Sequence, residues 1–311
     1  MTDGTVEAVG IAGTSWNKEL AFAIELSRRA GDVLMDRYER LERIDFKTAR
    51  DVVTEADLLS EELVIAAIRE RFPADAILAE ESGAHAATGA PADAAGGAGA
   101  IGPPADVAAA TGATGAPADA AGGGAPASGR IWVIDPLDGT VNYANGLPVF
   151  CVSIGLVIDD RPSVGVVLDP TRSETFAATA DSPATLNGRP IRASEKDKLS
   201  DYVISLGLSG RSVVARARAL RKEIRVSRSM GSAALGLAYV ANGRFDAFVQ
   251  ETSLSAWDIA AAGLIAERAG AVVTPFDGSR WYDPAKPTRR AGIVAAPPAF
   301  HERIRKLARG H

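Results

Sequence analysis

Two aspartates three residues apart close an apolar run. Ile131-Trp132-Val133-Ile134 leads into Asp135-Pro136-Leu137-Asp138-Gly139-Thr140. A continuously apolar run predicts a strand buried on both faces. Pro136 and Gly139 predict a turn that aims both carboxylates and the Leu137 carbonyl into one cavity. Three oxygen donors from four residues suit Mg²⁺, which takes oxygen ligands at ~2.0–2.1 Å. Gly139 permits close backbone approach, and Thr140 opens a helical turn whose N–H groups would face a phosphate. Two further acidic clusters stand elsewhere. Trp257-Asp258 falls in the first turn of a helix expected from Ser255, and Glu80-Glu81 ends the short apolar run Ile77-Leu78-Ala79. Singly, each is an ordinary helix-dipole partner or solvated pair. Jointly, they are what a two-metal site draws from several elements.

The rest of the composition narrows the chemistry. The three histidines, His85, His301 and His311, stand beside none of these residues. Histidine-based phosphoryl transfer, a Ser-His-Asp triad and a His-rich zinc site are thereby disfavoured. The one cysteine, Cys151, allows no internal disulfide and fits a reducing compartment. It lies in the apolar run Val149–Ile158 and reads as a small core residue, not a nucleophile. Carboxylates, hydroxyls and hard metal ions remain. Apolar residues make up 47% of the 311, enough for a sizeable core. Net charge is −5, from 34 Lys and Arg against 39 Asp and Glu, which leaves no excess of cations for nucleic acid. No run nears the ~20 apolar residues of a membrane helix, and Met1–Thr14 has no signal-peptide pattern. The expectation is a soluble, cytoplasmic protein with neither a nucleic-acid nor a membrane partner.

Periodicity and punctuation outline the elements that must position the acidic clusters. A helix is predicted over Trp16–Tyr38, with Leu20, Ile24, Ser27 and Leu34 as its buried stripe. A second runs from the capping pattern Thr54-x-x-Asp57 to Phe72, with Leu58, Ile65, Ile68 and Phe72 on one face and Pro73 as its stop. Strands are predicted near 150–158, 163–169 and 174–179, with a turn at Asn187-Gly188. Then come a strand near 202–206, a helix near 211–222, a strand near 224–227, a helix opening at Gly231-Ser232 and a strand over Phe245–Val249. A helix over Ser255–Ala269, strands at Val272-Val273 and Ile293–Ala295, and a helix over Pro298–Arg309 complete the order. Such mixing predicts an α/β (α+β) fold with helices covering sheets.

Residues 83–129 stand apart. Of these 47, 37 are Ala, Gly or Pro, and Thr88–Gly97 recurs letter for letter at Thr114–Gly123. That composition predicts a flexible insertion. Gly97-x-Gly99-x-x-Gly102 within it lacks the flanking strand and helix of a dinucleotide-binding loop. The expected organisation is a single domain over 15–309, with subdomains of about 15–185 and 186–309 around the site, plus the 83–129 insertion and a tail at 1–14.

Three blocks, in order, resemble the inositol monophosphatase family. They are Asp51-x-Val53-Thr54-x-x-Asp57, continuing to Glu80-Glu81-Ser82; Trp132-x-x-Asp135-Pro136-Leu137-Asp138-Gly139-Thr140-x-Asn142-Tyr143, continuing through Gly146-x-Pro148 to Val152-Ser153-Ile154-Gly155; and Trp257-Asp258-x-Ala260-Ala261-Ala262-Gly263. The resemblance covers about 16–309 apart from the insertion. It implies a layered α-β-α-β-α sandwich of the sugar-phosphatase type, a homodimer, and Mg²⁺-dependent, Li⁺-sensitive hydrolysis of a small phosphate monoester with two or three metal ions. It implies one metal on Glu80, Asp135 and the Leu137 carbonyl, a second on Asp135, Asp138 and Asp258, and a weaker third near Glu80. Thr140, Asp57 and Glu80 are the implied catalytic residues: Thr140 and Glu80 orient the attacking water, and Asp57 holds the Thr140 hydroxyl. Gly139 and Thr140 would bind phosphate oxygens, and Ser232, Ala233, Glu251 and Asp258 would face the alcohol half.

Within that resemblance a phosphorylated polyol, myo-inositol monophosphate, is the first choice of substrate. Histidinol phosphate, fructose 1,6-bisphosphate and 3′-phosphoadenosine 5′-phosphate are alternatives. Departures are Lys47, four residues before Asp51 where the family often has a lysine five before, and Tyr143 in place of a commoner Phe. A haloacid-dehalogenase-type phosphatase would space its aspartates Asp-x-Asp, not Asp-x-x-Asp. A catalytically silent metal- or partner-binding protein on the same fold is the reading from a different class.

Overall fold

A computed structural model describes residues 16–40, 44–48, 51–88, 129–210, 212–283 and 291–310. Five layers alternate. Helices α1 (Asn17–Arg37) and α2 (Glu55–Arg71) form the first. They cover one face of an eight-stranded sheet made from β3 (Ala76–Ala79), β4 (Gly83–His85), β5 (Arg130–Asp138), β6 (Cys151–Ile158), β7 (Arg161–Asp169), β8 (Glu174–Thr179), β9 (Thr185–Leu186) and β10 (Arg189–Pro190). Its strand order is β10-β9-β8-β7-β6-β5-β3-β4. The other face receives α5 (Ala233–Ala241) and α6 (Ala256–Arg268), which also back a second sheet. That sheet has β11 (Val203–Gly207), β12 (Val226–Arg228), β13 (Ala247–Leu254), β14 (Val272–Thr274) and β15 (Ala291–Ala296), in the order β12-β11-β13-β15-β14. Helices α4 (Val213–Glu223) and α7 (Pro298–Arg309) close the outer side. A hairpin of β1 (Ile44–Thr48) and β2 (Asp51–Thr54) precedes α2, and the short α3 (Thr140–Ala144) follows β5. Among the described residues no helix is long and apolar enough to cross a membrane.

The middle helical layer explains much of the sequence between 233 and 268. A helix with sheets on both sides has no solvent face, so it is apolar all round. Every residue of α5 is buried, and α6 buries Ile259 through Ala266. Small residues bring α6 close to the large sheet. A Cβ added to Gly165 would lie 2.6 Å from the Ala261 carbonyl oxygen, and one on Gly155 would lie 3.2 Å from the Ala260 Cβ. In the outer layer, Tyr143 donates its hydroxyl proton to the Leu34 carbonyl at 2.6 Å, tying α3 to α1. Trp132, fully buried, gives its Nε1–H to Asp75 at 2.9 Å. Large side chains of this kind each contribute ~1.5–3 kcal/mol through burial.

Two expectations are corrected here. Leu58 was expected on the buried face of α2, but it is 49% exposed, and the buried face carries Asp57, Ser60 and Glu61. Those polar groups have partners inside the protein and share the buried face with Ala56, Val64, Ala67 and the expected Ile68, with Ile65 and Phe72 packed at its margin. The insertion also begins later than its composition predicts. Gly83–His85 form β4, antiparallel to β3, because Gly83 takes φ +78° and turns the chain back. Thr88 still donates from its backbone N–H to the Pro73 carbonyl at 2.9 Å. Residues 89–128 of the expected insertion lie outside the described residues, as do 1–15 of the tail region. The turn expected at Asn187-Gly188 joins β9 to β10, both residues at positive φ.

Candidate active site

The chain does not turn between Asp135 and Asp138, as their Pro and Gly neighbours had suggested. Strand β5 continues to Asp138 through a bulge. Asp135 pairs with Ser153 and Asp138 with Cys151, so three steps on β5 match two on β6. Pro136 has no N–H to offer the ladder. Its carbonyl accepts from Ser60 Oγ at 3.2 Å, and the Leu137 N–H donates to Asp135 Oδ1 at 3.0 Å. The turn comes one residue later, at Gly139, with φ +98°. A Cβ there would lie 2.9 Å from the Val149 carbonyl oxygen, so the position has neither the conformation nor the space for a side chain.

Three helix starts converge on the acidic residues. Asp57 is the third residue of α2, and its Oδ2 accepts the Thr54 N–H at 2.8 Å and the Thr54 hydroxyl at 2.5 Å. Asp258 holds the same place in α6, accepting the Ser255 N–H at 2.6 Å. Asp138 comes from the sheet but is received by α5. Ser232 Oγ and the Ala234 N–H donate to its Oδ2 at 2.6 and 2.7 Å, and the Ala233 N–H donates to Oδ1 at 3.2 Å. Helix N-termini carry partial positive charge and unpaired N–H groups, so they stabilise carboxylates at these points.

The aspartates nonetheless crowd one another. One carboxylate oxygen each from Asp135, Asp138 and Asp258 lies within 4.8 Å of the others. Burial, then the charges of Glu80, Asp138 and Asp258, push the Asp135 carboxyl well above the usual carboxylate range. Burial and Asp138 push Asp258 well up too. Asp138 is raised by burial against the pull of its Ser232 and helix hydrogen bonds. This donor set fits a hard divalent cation: it is all oxygen, buried, and short of positive charge. Glu80 stands beside it. Its N–H donates to the Ile134 carbonyl at 3.2 Å, and its side chain hydrogen-bonds Asp135. Thr140 Oγ lies 3.0 Å from the Leu137 carbonyl oxygen and 3.1 Å from Asp57 Oδ1, two acceptors that share its one hydroxyl hydrogen.

A cavity of about 410 Å³ opens next to the aspartates, between their layer and the ends of β11 and β13. Asp138 and Asp258 are on its wall with Ser232 and Ala233. Glu251 adjoins this wall and is held by an ion pair. Its carboxylate accepts from both terminal nitrogens of Arg216, at 2.6 and 2.9 Å, and from the Ser209 N–H at 2.9 Å, which holds it below the usual range. Its chain neighbours Gln250 and Thr252 line the cavity wall.

The profile of the inositol monophosphatase family matches residues 16–311. The chain belongs to this family. Among its members, a protein of Pseudomonas aeruginosa named Nus factor SuhB is 35% identical over 270 residues, 84% of this chain and 86% of that one. The fructose-1,6-bisphosphatase/inositol-1-monophosphatase of Thermotoga maritima is 34% identical over 260 residues, 83% of this chain and 85% of that one. The solved structure of a Thermotoga maritima IMPase superposes with a TM-score of 0.74 at 31% identity, covering 94% of this chain and 97% of that one. The layered fold is therefore the family's own.

Supporting residues escaped the sequence reading. Glu61, buried one turn after Asp57, accepts the Glu81 and Ser82 N–H groups at 2.9 and 2.8 Å and so steadies the segment bearing Glu80. Its signal was available: a glutamate on the same helix face as a site aspartate. Asn142 gives its amide to the Val149 and Met230 carbonyls at 2.7 and 2.9 Å, bracing α3 against the chain entering α5. No spacing rule predicts that long-range tie. Cys151 is a core residue, its thiol 3.6 Å from Asp138 Oδ2. The side chain of Lys47 lies outside the described residues.

Proposed function

We propose that the protein is a Mg²⁺-dependent phosphatase that hydrolyses a small polyol monophosphate, with myo-inositol monophosphate its first-choice substrate. The observation that carries this reading is the meeting of Asp135, Asp138 and Asp258 within 4.8 Å, beside a cavity of polyol size. Glu80, Asp135, the Leu137 carbonyl, Asp138 and Asp258 hold the cations. Bound there, such ions polarise the phosphate, raise the acidity of water and offset charge on the leaving oxygen.

The chain's own groups do the positioning. Asp57 accepts the Thr140 proton, which leaves the lone pairs of the Thr140 hydroxyl free to receive a hydrogen from the attacking water. In this reading Glu80 acts on the same water. The Gly139–Thr140 backbone turns its N–H groups towards phosphate, and Ser232 and Ala233 border the alcohol half. Among the described residues, the charged members of the cavity wall are Asp138 and Asp258. That favours an uncharged leaving group over a second phosphate. Lithium sensitivity and a homodimer accompany this reading through the family resemblance, and a cytoplasmic location through the cysteine usage and composition.

A second reading, a silent partner-binding protein on this fold, draws on relatives whose name, Nus factor SuhB, states no hydrolytic activity. One assay separates the two. Phosphate release from myo-inositol 1-phosphate should require Mg²⁺, stop on chelation and return on readdition. Absence of turnover at every Mg²⁺ concentration, for a folded protein, would support the silent reading.

A further inference from the structure

Helix α3 is a single turn, Thr140–Ala144, and carries Thr140 at its start. One turn of helix is marginal without packing, because nucleation fixes several residues for few hydrogen bonds. Two side chains tie this turn to other layers. Tyr143 bonds the Leu34 carbonyl on α1, and Asn142 bonds the chain that enters α5. The Asn142 amide gives both hydrogens to backbone carbonyls, that of Val149 at 2.7 Å and that of Met230 at 2.9 Å. Two glycines make the meeting possible. A Cβ on Gly231, which takes φ +72°, would lie 2.9 Å from Asn142 Nδ2. A Cβ on Gly139 would lie 3.2 Å from Ser232 Cβ, besides striking Val149. Around one amide there converge the turn that carries Thr140, the segment leading into β6 and the segment that ends in Ser232. Two of these three touch the acidic cluster. Thr140 Oγ lies 3.1 Å from Asp57 Oδ1, and Ser232 Oγ donates to Asp138 Oδ2 at 2.6 Å. The neighbouring carbonyl, of Pro148, is held by Arg172 at 3.2 Å, and Arg172 in turn by the buried Asp169 at 2.9 Å.

We propose that Asn142 is a positioning residue that fixes the Thr140 hydroxyl relative to Asp138 and its cradle at the start of α5. The assignment rests on the phosphatase reading. The amide itself bonds none of the acidic residues and acts through the backbone. Thr140 stands two residues before Asn142, and Ser232 two residues after Met230. One pair of hydrogen bonds therefore sets the separation between the hydroxyl that orients the attacking water and the carboxylate that holds a cation. A primary amide suits the place, because it puts two donors on one nitrogen where two carbonyls each need one. An aspartate of the same shape would face those carbonyls with oxygens only. Without the amide both part-buried carbonyls lose their donor, and water entering to satisfy them would loosen α3. Misplacing a catalytic group by about 1 Å can cost ~100-fold in rate.

The test measures kcat and KM on myo-inositol 1-phosphate and on p-nitrophenyl phosphate, with melting temperature as the check on folding. Asn142→Ala and the isosteric Asn142→Asp should each lower kcat roughly tenfold or more. The factor should be the same for both esters, with KM within about twofold, because the phosphate side is disturbed and the alcohol side is not. Both variants should keep the rise in melting temperature that Mg²⁺ confers, since no proposed cation ligand is removed. Asn142→Ser, which keeps one donor, should fall between wild type and Asn142→Ala, and it carries the test should the other two disturb folding. The same substitutions in a Thr140→Ala background separate positioning from general loosening. There they should lower kcat by less than about twofold, because the hydroxyl they misplace is already gone. Turnover within about twofold of wild type in the folded variants overturns the assignment alone. So does an equal loss with and without the Thr140 hydroxyl, or a loss confined to the inositol ester. A folded wild type inert on both esters overturns the phosphatase reading, and the assignment with it.

Discussion

Asp135 is the residue on which the most charge converges. It is buried, bonded to Glu80 and pushed up by two further aspartates. Asp135→Asn keeps the shape and the acceptor for the Leu137 N–H. It should remove cation binding and lower turnover by roughly 10³-fold, since a catalytic metal supplies several kcal/mol. In chelator the same variant should melt higher than wild type, because one of the crowded charges is gone. Turnover within tenfold of wild type at saturating Mg²⁺ would remove Asp135 from the metal site. The raised carboxyls also set a pH dependence. Each favours the fold while protonated, so its contribution is present below the ordinary value of ~3.9 and is lost as pH rises through the raised one. Asp57, Asp135, Asp138 and Asp258 all shift in this direction. In chelator, the melting temperature should therefore fall as pH rises above the ordinary carboxylate value of ~3.9. Saturating Mg²⁺, which binds the deprotonated groups, should flatten that fall. Identical melting curves with and without Mg²⁺ at pH 8 would contradict a cation held by these carboxylates.

At the scale of elements, the site depends on how close α6 stands to the large sheet. Asp258 rides on the first turn of α6, and Asp135 and Asp138 on β5. Gly165 in β7, two strands from β5, leaves 2.6 Å between its would-be Cβ and the Ala261 carbonyl, a backbone atom that cannot step aside. Gly165→Ala should cost roughly 1–3 kcal/mol by overpacking. By lifting α6 it should also raise the Mg²⁺ concentration for half activity. Gly155→Ala meets its first atom only at 3.2 Å and should do less of both. The two variants, compared by denaturant unfolding and Mg²⁺ titration, test whether helix spacing sets metal affinity. Equal effects, or a stability loss without any change in Mg²⁺ dependence, would argue that Asp258 is placed independently of this contact. The capping boxes at Thr54 and Ser255 were legible in sequence, because the pattern lies within four residues. The reception of Asp138 by α5 was not, because its partners, Ser232 and Ala234, lie more than ninety residues away.

For the whole molecule, the Ala/Gly/Pro-rich segment is the test of how self-sufficient the layered body is. Thr88 and Gly129 bound the undescribed part, and Thr88 is anchored to Pro73 through its N–H and its hydroxyl. Replacing 89–128 by a Gly/Ser linker about a quarter as long should favour folding by roughly 1 kcal/mol, from loop-closure entropy alone. Keeping β4 and the Glu61 contacts to Glu81 and Ser82 should preserve the place of Glu80. Mg²⁺-dependent turnover is expected to survive across a series of linker lengths. Loss of activity at every length in folded protein would make the segment part of the working site.

The sequence by itself determined the family, the layered class of fold and the acidic clusters, because each is encoded locally. Strand and helix periods, capping pairs and Asp-Pro-Leu-Asp-Gly-Thr all act within a few residues of chain. Tertiary structure alone decided which face of α2 is buried, that β5 bulges where its composition suggests a turn, and that Glu251 pairs with Arg216. Each of those outcomes depends on a partner far along the chain. Glu81 and Ser82 claim Glu61, β6 sets the register of β5, and Arg216 on another helix pairs with the carboxylate that the family resemblance assigns to the substrate. A local pattern states what a residue is able to do, but hydrogen-bond satisfaction across the packed layers selects the partner with which it does it.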